Sequence, residues 1–196
     1  MALVLQQEYD SSKFTLYSIN IMLQMIGELP ITDDVDLSNI IEAQVAQQVL
    51  IETKRDVLSN GWDFNMDIGY SFPQDSTGYI SVPANILDIS DSNGDIILRD
   101  WKLYSKSNQS ALFDEPQSMD VIWDLDFNSL SHPFRNYITI RAARIFAMRT
   151  VQDSTIASYT QADEDKAEIN LRRSEGFTSK PNMLTGTYGQ DNMVLV

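Results

Sequence analysis

The chain has 196 residues, 28 acids against 14 bases for a net charge of −14, 43% hydrophobic residues and no cysteine. Without cysteine there is no disulfide frame and no thiolate zinc site, as suits a reducing cytoplasm. No run approaches the roughly 20 apolar residues that cross a bilayer, and the acidity opposes binding to free nucleic acid or anionic membrane. A chain of this length buries roughly 70% of its unfolded surface, enough for one domain or one domain with an insertion.

Residues 1–12, beginning "MALVLQQEYD", read as an N-terminal arm; the apolar start is too short for a signal peptide and lacks its basic region. Leu16, Ile19, Leu23 and Ile26 lie on one helical face, and Gly27 and Pro30 supply a stop. "ITDDVD" reads as a polar connection. Ser38 or Asn39 then offers a cap, with Glu42 placed as in a capping box, for a helix striped by Val45, Ala46, Val49, Leu50, Thr53 and Val57. That helix ends at Asn60-Gly61.

From Trp62 the period changes to two, so "WDFNMDIGY" predicts a first strand. "GYISVPANILDIS" carries Pro83 and predicts interrupted or edge pairing. Asn93-Gly94 is a hairpin-turn signal. In "MDVIWDLDF", Met119, Val121, Trp123, Leu125 and Phe127 alternate with Asp120, Asp124 and Asp126. Short strands with turns between them predict a small antiparallel β-sandwich or barrel. After Pro133, Phe134, Ile138, Ala142, Ile145 and Met148 restore the helical period. A last helix follows, acidic early and with Arg172-Arg173 late, stopping at Gly176. Residues 177–196 read as an extended tail.

The expected fold is therefore α+β. An antiparallel helical bundle is formed by residues 13–61 and 132–176, with a β domain inserted at 62–131. Gly61, Trp62 and Phe64 mark the domain junction, where the two aromatics are expected to pack.

Sites for chemistry are scarce. His132 is the only histidine and precedes Pro133 at a helix start, so it reads as a turn residue rather than a zinc ligand or a triad member. "DSNGD" at 91–95 lacks calcium-loop spacing, and no glycine-rich phosphate loop is present. Asp124 and Asp126 would lie about 7 Å apart on one strand, a separation that inverting glycosidases use but that also describes the wet face of a sheet. No catalytic, cofactor or metal residue is assigned. The clearest charge feature is the row Arg135, Arg141, Arg144 and Arg149, with no acid between residues 134 and 151. It calls for acidic partners, within the chain or on another copy.

Several blocks in order resemble the tail tubular protein A family, the head-to-tail adaptor of T7-like short-tailed phages. They are "INIMLQMIGELPI" (19–31), "SNGWDFN" (59–65), "YISVPANILDI" (79–89), "LYSKSNQSALF" (103–113) and "DFNSLSHPFRNYITIRAARIFAMR" (126–149). The resemblance implies a structural virion protein, not an enzyme, assembled in the host cytoplasm. It implies a twelve-subunit ring under the portal that receives the nozzle, tail tubular protein B, helps attach tail fibres, and lets DNA pass without specific binding. On that reading Arg135, Arg141, Arg144 and Arg149 become interface candidates, with Asp163, Glu164 and Asp165 as acids they would meet. Two other readings are a tail-associated carbohydrate binder or hydrolase using Asp124 and Asp126, and an unrelated acidic scaffold protein.

Overall fold

A computed structural model of the chain describes residues 13–32, 34–151 and 154–178. The expected arm at 1–12 and the tail from 179 onward lie outside the described residues. The elements are α1 (Phe14–Met25), α2 (Asp34–Asn39), α3 (Ile41–Leu58), β1 (Met66–Phe72), β2 (Ile86–Ser90), β3 (Ile96–Arg99), β4 (Lys102–Ser105), β5 (Gln117–Trp123), α4 (His132–Thr150) and α5 (Ser154–Thr178), with a short 3-10 turn at Phe127–Ser129. The mixed helix-and-sheet class is as the two periodicities imply.

The stripe on α1 buries Ile19, Met22 and Leu23. Gly27 takes a left-handed φ of 82°, which lets the Glu28 amide reach back to the Leu23 carbonyl at 3.0 Å. Asn20 then fastens the following loop, accepting from the Ile31 amide at 2.8 Å and donating to its carbonyl at 2.9 Å.

The expected cap on α3 is not the one used. Ser38 and Asn39 belong to α2, so they cannot take the extended backbone of a cap; Ile40 does, without a side-chain bond. Gln44 instead donates to the Ser38 carbonyl at 2.6 Å. The last helix does not stop at Gly176, which lies inside α5.

Helix α4 sits at the centre. It packs on α1, α3 and α5, and the shared core includes Ile19, Leu58, Phe134, Ile138, Phe146 and Leu171. The strands form a three-stranded antiparallel sheet, β1-β5-β2, and a separate β3-β4 ribbon. Both contribute to one apolar cluster, with Phe72, Ile86, Met119 and Val121 from the first and Leu103 from the second. The Asn93-Gly94 turn forms, but it passes the chain from β2 into the other sheet. Asp91 directs this by accepting from the Asp95 and Ile96 amides. The paired hairpin is β3-β4, closed by Asp100 and Trp101, both at positive φ.

Residues 62–65 also differ from expectation. They form a tight turn, with the Asn65 amide donating to the Trp62 carbonyl at 2.9 Å, and the strand begins only at Met66. The cause is Asn65, which is 1% exposed. Its side-chain oxygen accepts from the Trp62 amide at 2.8 Å, and its amide nitrogen donates to the Leu58 and Trp123 carbonyls, each at 3.0 Å. Its own carbonyl accepts from the Trp123 amide at 2.8 Å. The end of α3, the turn and the end of β5 thus meet on one side chain.

Replacing Asn65 by Ala removes three side-chain hydrogen bonds in a buried place, and of the groups they serve the Leu58 carbonyl keeps the Gly61 amide at 3.2 Å. Asn65→Ala should lower the unfolding free energy by about 2–4 kcal/mol. The check is a lower denaturant midpoint with an unchanged slope.

Candidate assembly surfaces

The arginine row of α4 is answered from within the chain. Helix α5 turns back along α4, which brings Glu164 to Arg144 in a direct ion pair; the Glu164 side chain is only 6% exposed. Arg141 bonds Asp56 of α3 at 2.7 Å and the Tyr137 hydroxyl at 3.0 Å, and lies 3.9 Å from Glu164. Burial pulls the Arg141 guanidinium down, but Tyr137, Asp56 and Glu164 outweigh it and hold its pKa above the usual arginine value. Arg149 pairs with Glu52 of α3 at 2.8 Å. Arg135 lies over the Phe14 ring at 3.6 Å and donates to the Leu130 carbonyl at 2.6 Å; burial lowers its pKa. Of the acids expected opposite this row, only Glu164 meets it. Asp163 pairs with Lys166 at 3.2 Å, and Asp165 accepts from Gln161 at 2.9 Å.

The junction is aromatic as well as polar. Gly61 takes φ 70°, and a side chain there would press on Ile122, 3.0 Å away. Trp62 and Phe64 meet the Phe134 ring edge-on, at centroid distances of 5.0 and 4.4 Å. The Trp62 indole donates to the Val57 carbonyl at 2.7 Å. The far end of α5 reaches the same turn, where Glu175 accepts from the Asp63 amide. Burial and the nearby Asp63 charge together raise the Glu175 pKa.

Asp124 and Asp126 do not form a carboxylate pair on a strand, because β5 ends at Trp123. Asp124 pairs with Lys54 at 2.6 Å, and Asp126 caps the 3-10 turn by accepting from the Asn128 amide at 2.8 Å. His132 opens α4, ahead of Pro133. Among the described residues no cluster of three or more His, Asp or Glu is placed to hold a metal.

What remains open to partners is apolar surface. Between α1 and α5 a groove of about 300 Å³ is lined by the partly buried Ile21 and Met25 of α1 and Ile140 of α4, by the buried Ala143 of α4 and Ala167 of α5, and by Asp163 and Lys166. Leu29 is 83% exposed, Ile41 at the start of α3 71%, and Ile68 on the outer strand β1 78%. Trp101 and Leu112 are also exposed on the β part. Alternation and helical spacing locate buried faces, so these residues carried no signal in the sequence. Asn65 was missed for the same reason: between Phe64 and Met66 it reads as an outward polar residue.

A family model described as "Tail tubular protein" matches residues 16–181. Tail tubular protein A of Klebsiella phage KP34 is 31% identical over 170 residues, covering 84% of this chain and 90% of that protein.

Two measurements follow from these ion pairs and turns. Glu164→Ala strands Arg144 in a largely buried place, so it should cost about 3–5 kcal/mol, while the Arg144→Met, Glu164→Leu double variant should recover most of that loss. Thermal denaturation of the three variants checks it. On the β part, the Thr77 hydroxyl and amide hold Asp75 below the usual carboxylate range, and the Ser105 hydroxyl and Ser107 amide do the same for Asp95. A depressed folded-state pKa contributes stability above the unfolded value of about 4, and that contribution is lost as pH falls through the folded value. The protection factors of the Thr77, Tyr79 and Ser107 amides, which donate to these carboxylates, should therefore fall below about pH 4 before those in the core of α4 do.

Proposed function

The chain belongs to the tail tubular protein family, structural proteins of the phage tail, and on that premise we propose that it is the adaptor subunit between the portal vertex and the tail nozzle. Twelve copies form a ring. The ring surrounds part of the DNA ejection channel, receives tail tubular protein B, and supports the tail fibres. In this reading residues 13–61 and 132–176 act as a helical bundle that meets the portal and neighbouring copies. Residues 62–131 act as an inserted β domain that faces the nozzle and fibres.

The observation that carries the reading is the distribution of exposed apolar side chains. They occur on both parts of the molecule: Tyr17, Leu29 and Ile41 on the helical side, and Ile68, Trp101 and Leu112 on the β side. A protein that joins two different partners and its own copies needs several docking surfaces rather than one cleft. The charge is also suited to a conduit. A ring multiplies the −14 of each copy, so its acidic lining repels DNA and lets it slide. The arginine row serves the ring indirectly, by holding α3 and α5 on α4.

Native mass spectrometry and negative-stain imaging with the phage's own portal protein test this. A twelve-fold ring seated on the portal is the expected result. A protein that stays monomeric with portal present overturns it.

A further inference from the structure

We propose that neighbouring copies join by laying the outer face of α3 from one subunit into the α1/α4/α5 groove of the next; the inference rests on the ring reading above and names its contact.

Among the described residues, helix α4 is covered on three sides but not on the fourth. Ser18 of α1 meets Thr139 at 2.8 Å, Glu52 of α3 meets Arg149, and Glu164 of α5 meets Arg144. Between α1 and α5, the line Asn136, Ile140 and Ala143 is left at the bottom of the groove. Its depth gives room for more than one branched aliphatic side chain at interior packing density. The apolar surface also continues past the groove. Tyr17 lies one turn before Ile21 on α1 and is 67% exposed, and Ile169 beside Asn170 on α5 is exposed too.

The complementary surface is on α3. Ile41, Val45 and Ile51 are exposed and, with Gln48 between them, follow one another at spacings of four and three along one face. Together they form a ridge that is exposed among the described residues.

The two surfaces face opposite ways. At 3.6 residues per turn, Ile140 in the groove and Arg149 against α3 lie about 180° apart around α4. The outer face of α3 therefore points away from the side on which the groove opens. That is the arrangement a heterologous contact requires, in which one face of a copy meets a different face of the next and the series closes into a ring. An isologous dimer would instead need a self-complementary patch. Charge agrees with the pairing. The α3 ridge carries the acids Glu42 and Glu52, the latter shared with Arg149 of α4 at 2.8 Å, and no base from Ile41 to Thr53, while α5 beside the groove carries Asp163, Lys166 and Arg173. Lys166 is shared there with Asp163, at 3.2 Å on the surface.

The cysteine-free chain allows a direct test by paired cysteine substitution in the full-length protein assembled on portal. Val45→Cys is combined in one chain with Ile140→Cys, and separately with Asn170→Cys; Ile41→Cys is combined with Ile21→Cys. After mild oxidation at least one pair should give a ladder of dimers, trimers and higher species on non-reducing gels. Each single-cysteine variant should give no species above dimer. Ile41→Asp, on an exposed site, should leave the melting temperature unchanged and abolish ring formation at concentrations where the parent assembles. Rings that form on portal without a ladder from any pair, or that tolerate Ile41→Asp, overturn this contact while leaving the adaptor reading intact. If the parent forms no ring on portal, the adaptor reading falls and this contact falls with it.

Discussion

The fold depends on one buried amide. Asn65 joins groups from three chain segments: the Leu58 carbonyl at the end of α3, which also accepts from the Gly61 amide, the Trp62 amide in the turn, and the Trp123 carbonyl at the end of β5. Helix ends and strand ends are where backbone groups run out of regular partners. Here two such ends are brought to a single donor-acceptor pair, so the helical core and the sheet are locked in one relative position. An apolar residue of the same size would fill the space but remove all three of these hydrogen bonds. Trp62 and Phe64 then pack on Phe134 around this point, shielding the hydrogen bonds from water and strengthening them.

Helix α4 carries this fixed geometry into the rest of the helical part. Phe134, beneath the junction aromatics, lies near its start, and the arginines follow along its length. Each arginine takes a partner on a different neighbour: Arg135 on α1, Arg149 on α3, Arg144 on α5, and Arg141 between α3 and α5. Surface ion pairs contribute little to stability, but the Arg144–Glu164 pair is largely buried, and its geometry selects one placement of α5.

What could be read from the sequence follows from period. The change from a spacing of 3.6 to one of two at Gly61, and back after Pro133, marks where helices give way to strands, because burial of one face imposes that pattern. The aromatic packing at Trp62 and Phe64 was legible for the same reason, but the strand expected there was not formed. Period cannot tell a buried asparagine from a solvated one, so Asn65 looked like the wet side of a strand. Nor can it tell whether a charge row pairs at home or abroad. The row on α4 carries no acid of its own, and its partners lie 20 to 97 positions away in the chain. The misplaced helix boundaries at Ser38 and Gly176 are local choices decided by neighbouring turns and packing rather than by residue type.

The polar pairs also explain why the groove exists. Helix α5 is drawn to the side of α4 that bears Arg144 and Arg141, and at its far end Glu175 ties it to the Asp63 amide in the junction turn. Both attachments hold α5 to α4 and to that turn, and neither is made to α1. Were α5 held only by apolar contacts, the simplest way to hide Ile21, Met25 and Ile140 would be to roll it against α1 and close the four helices on themselves. The buried Glu164 opposes that movement, because rolling α5 would carry its carboxylate away from both arginines. Apolar surface along α1 and α4 is thus left open beside the ion pairs that hold α5. A surface maintained against the hydrophobic effect in this way is available to another subunit only while those ion pairs hold, so the strength of the proposed ring contact is coupled to pairs that never touch the neighbouring copy.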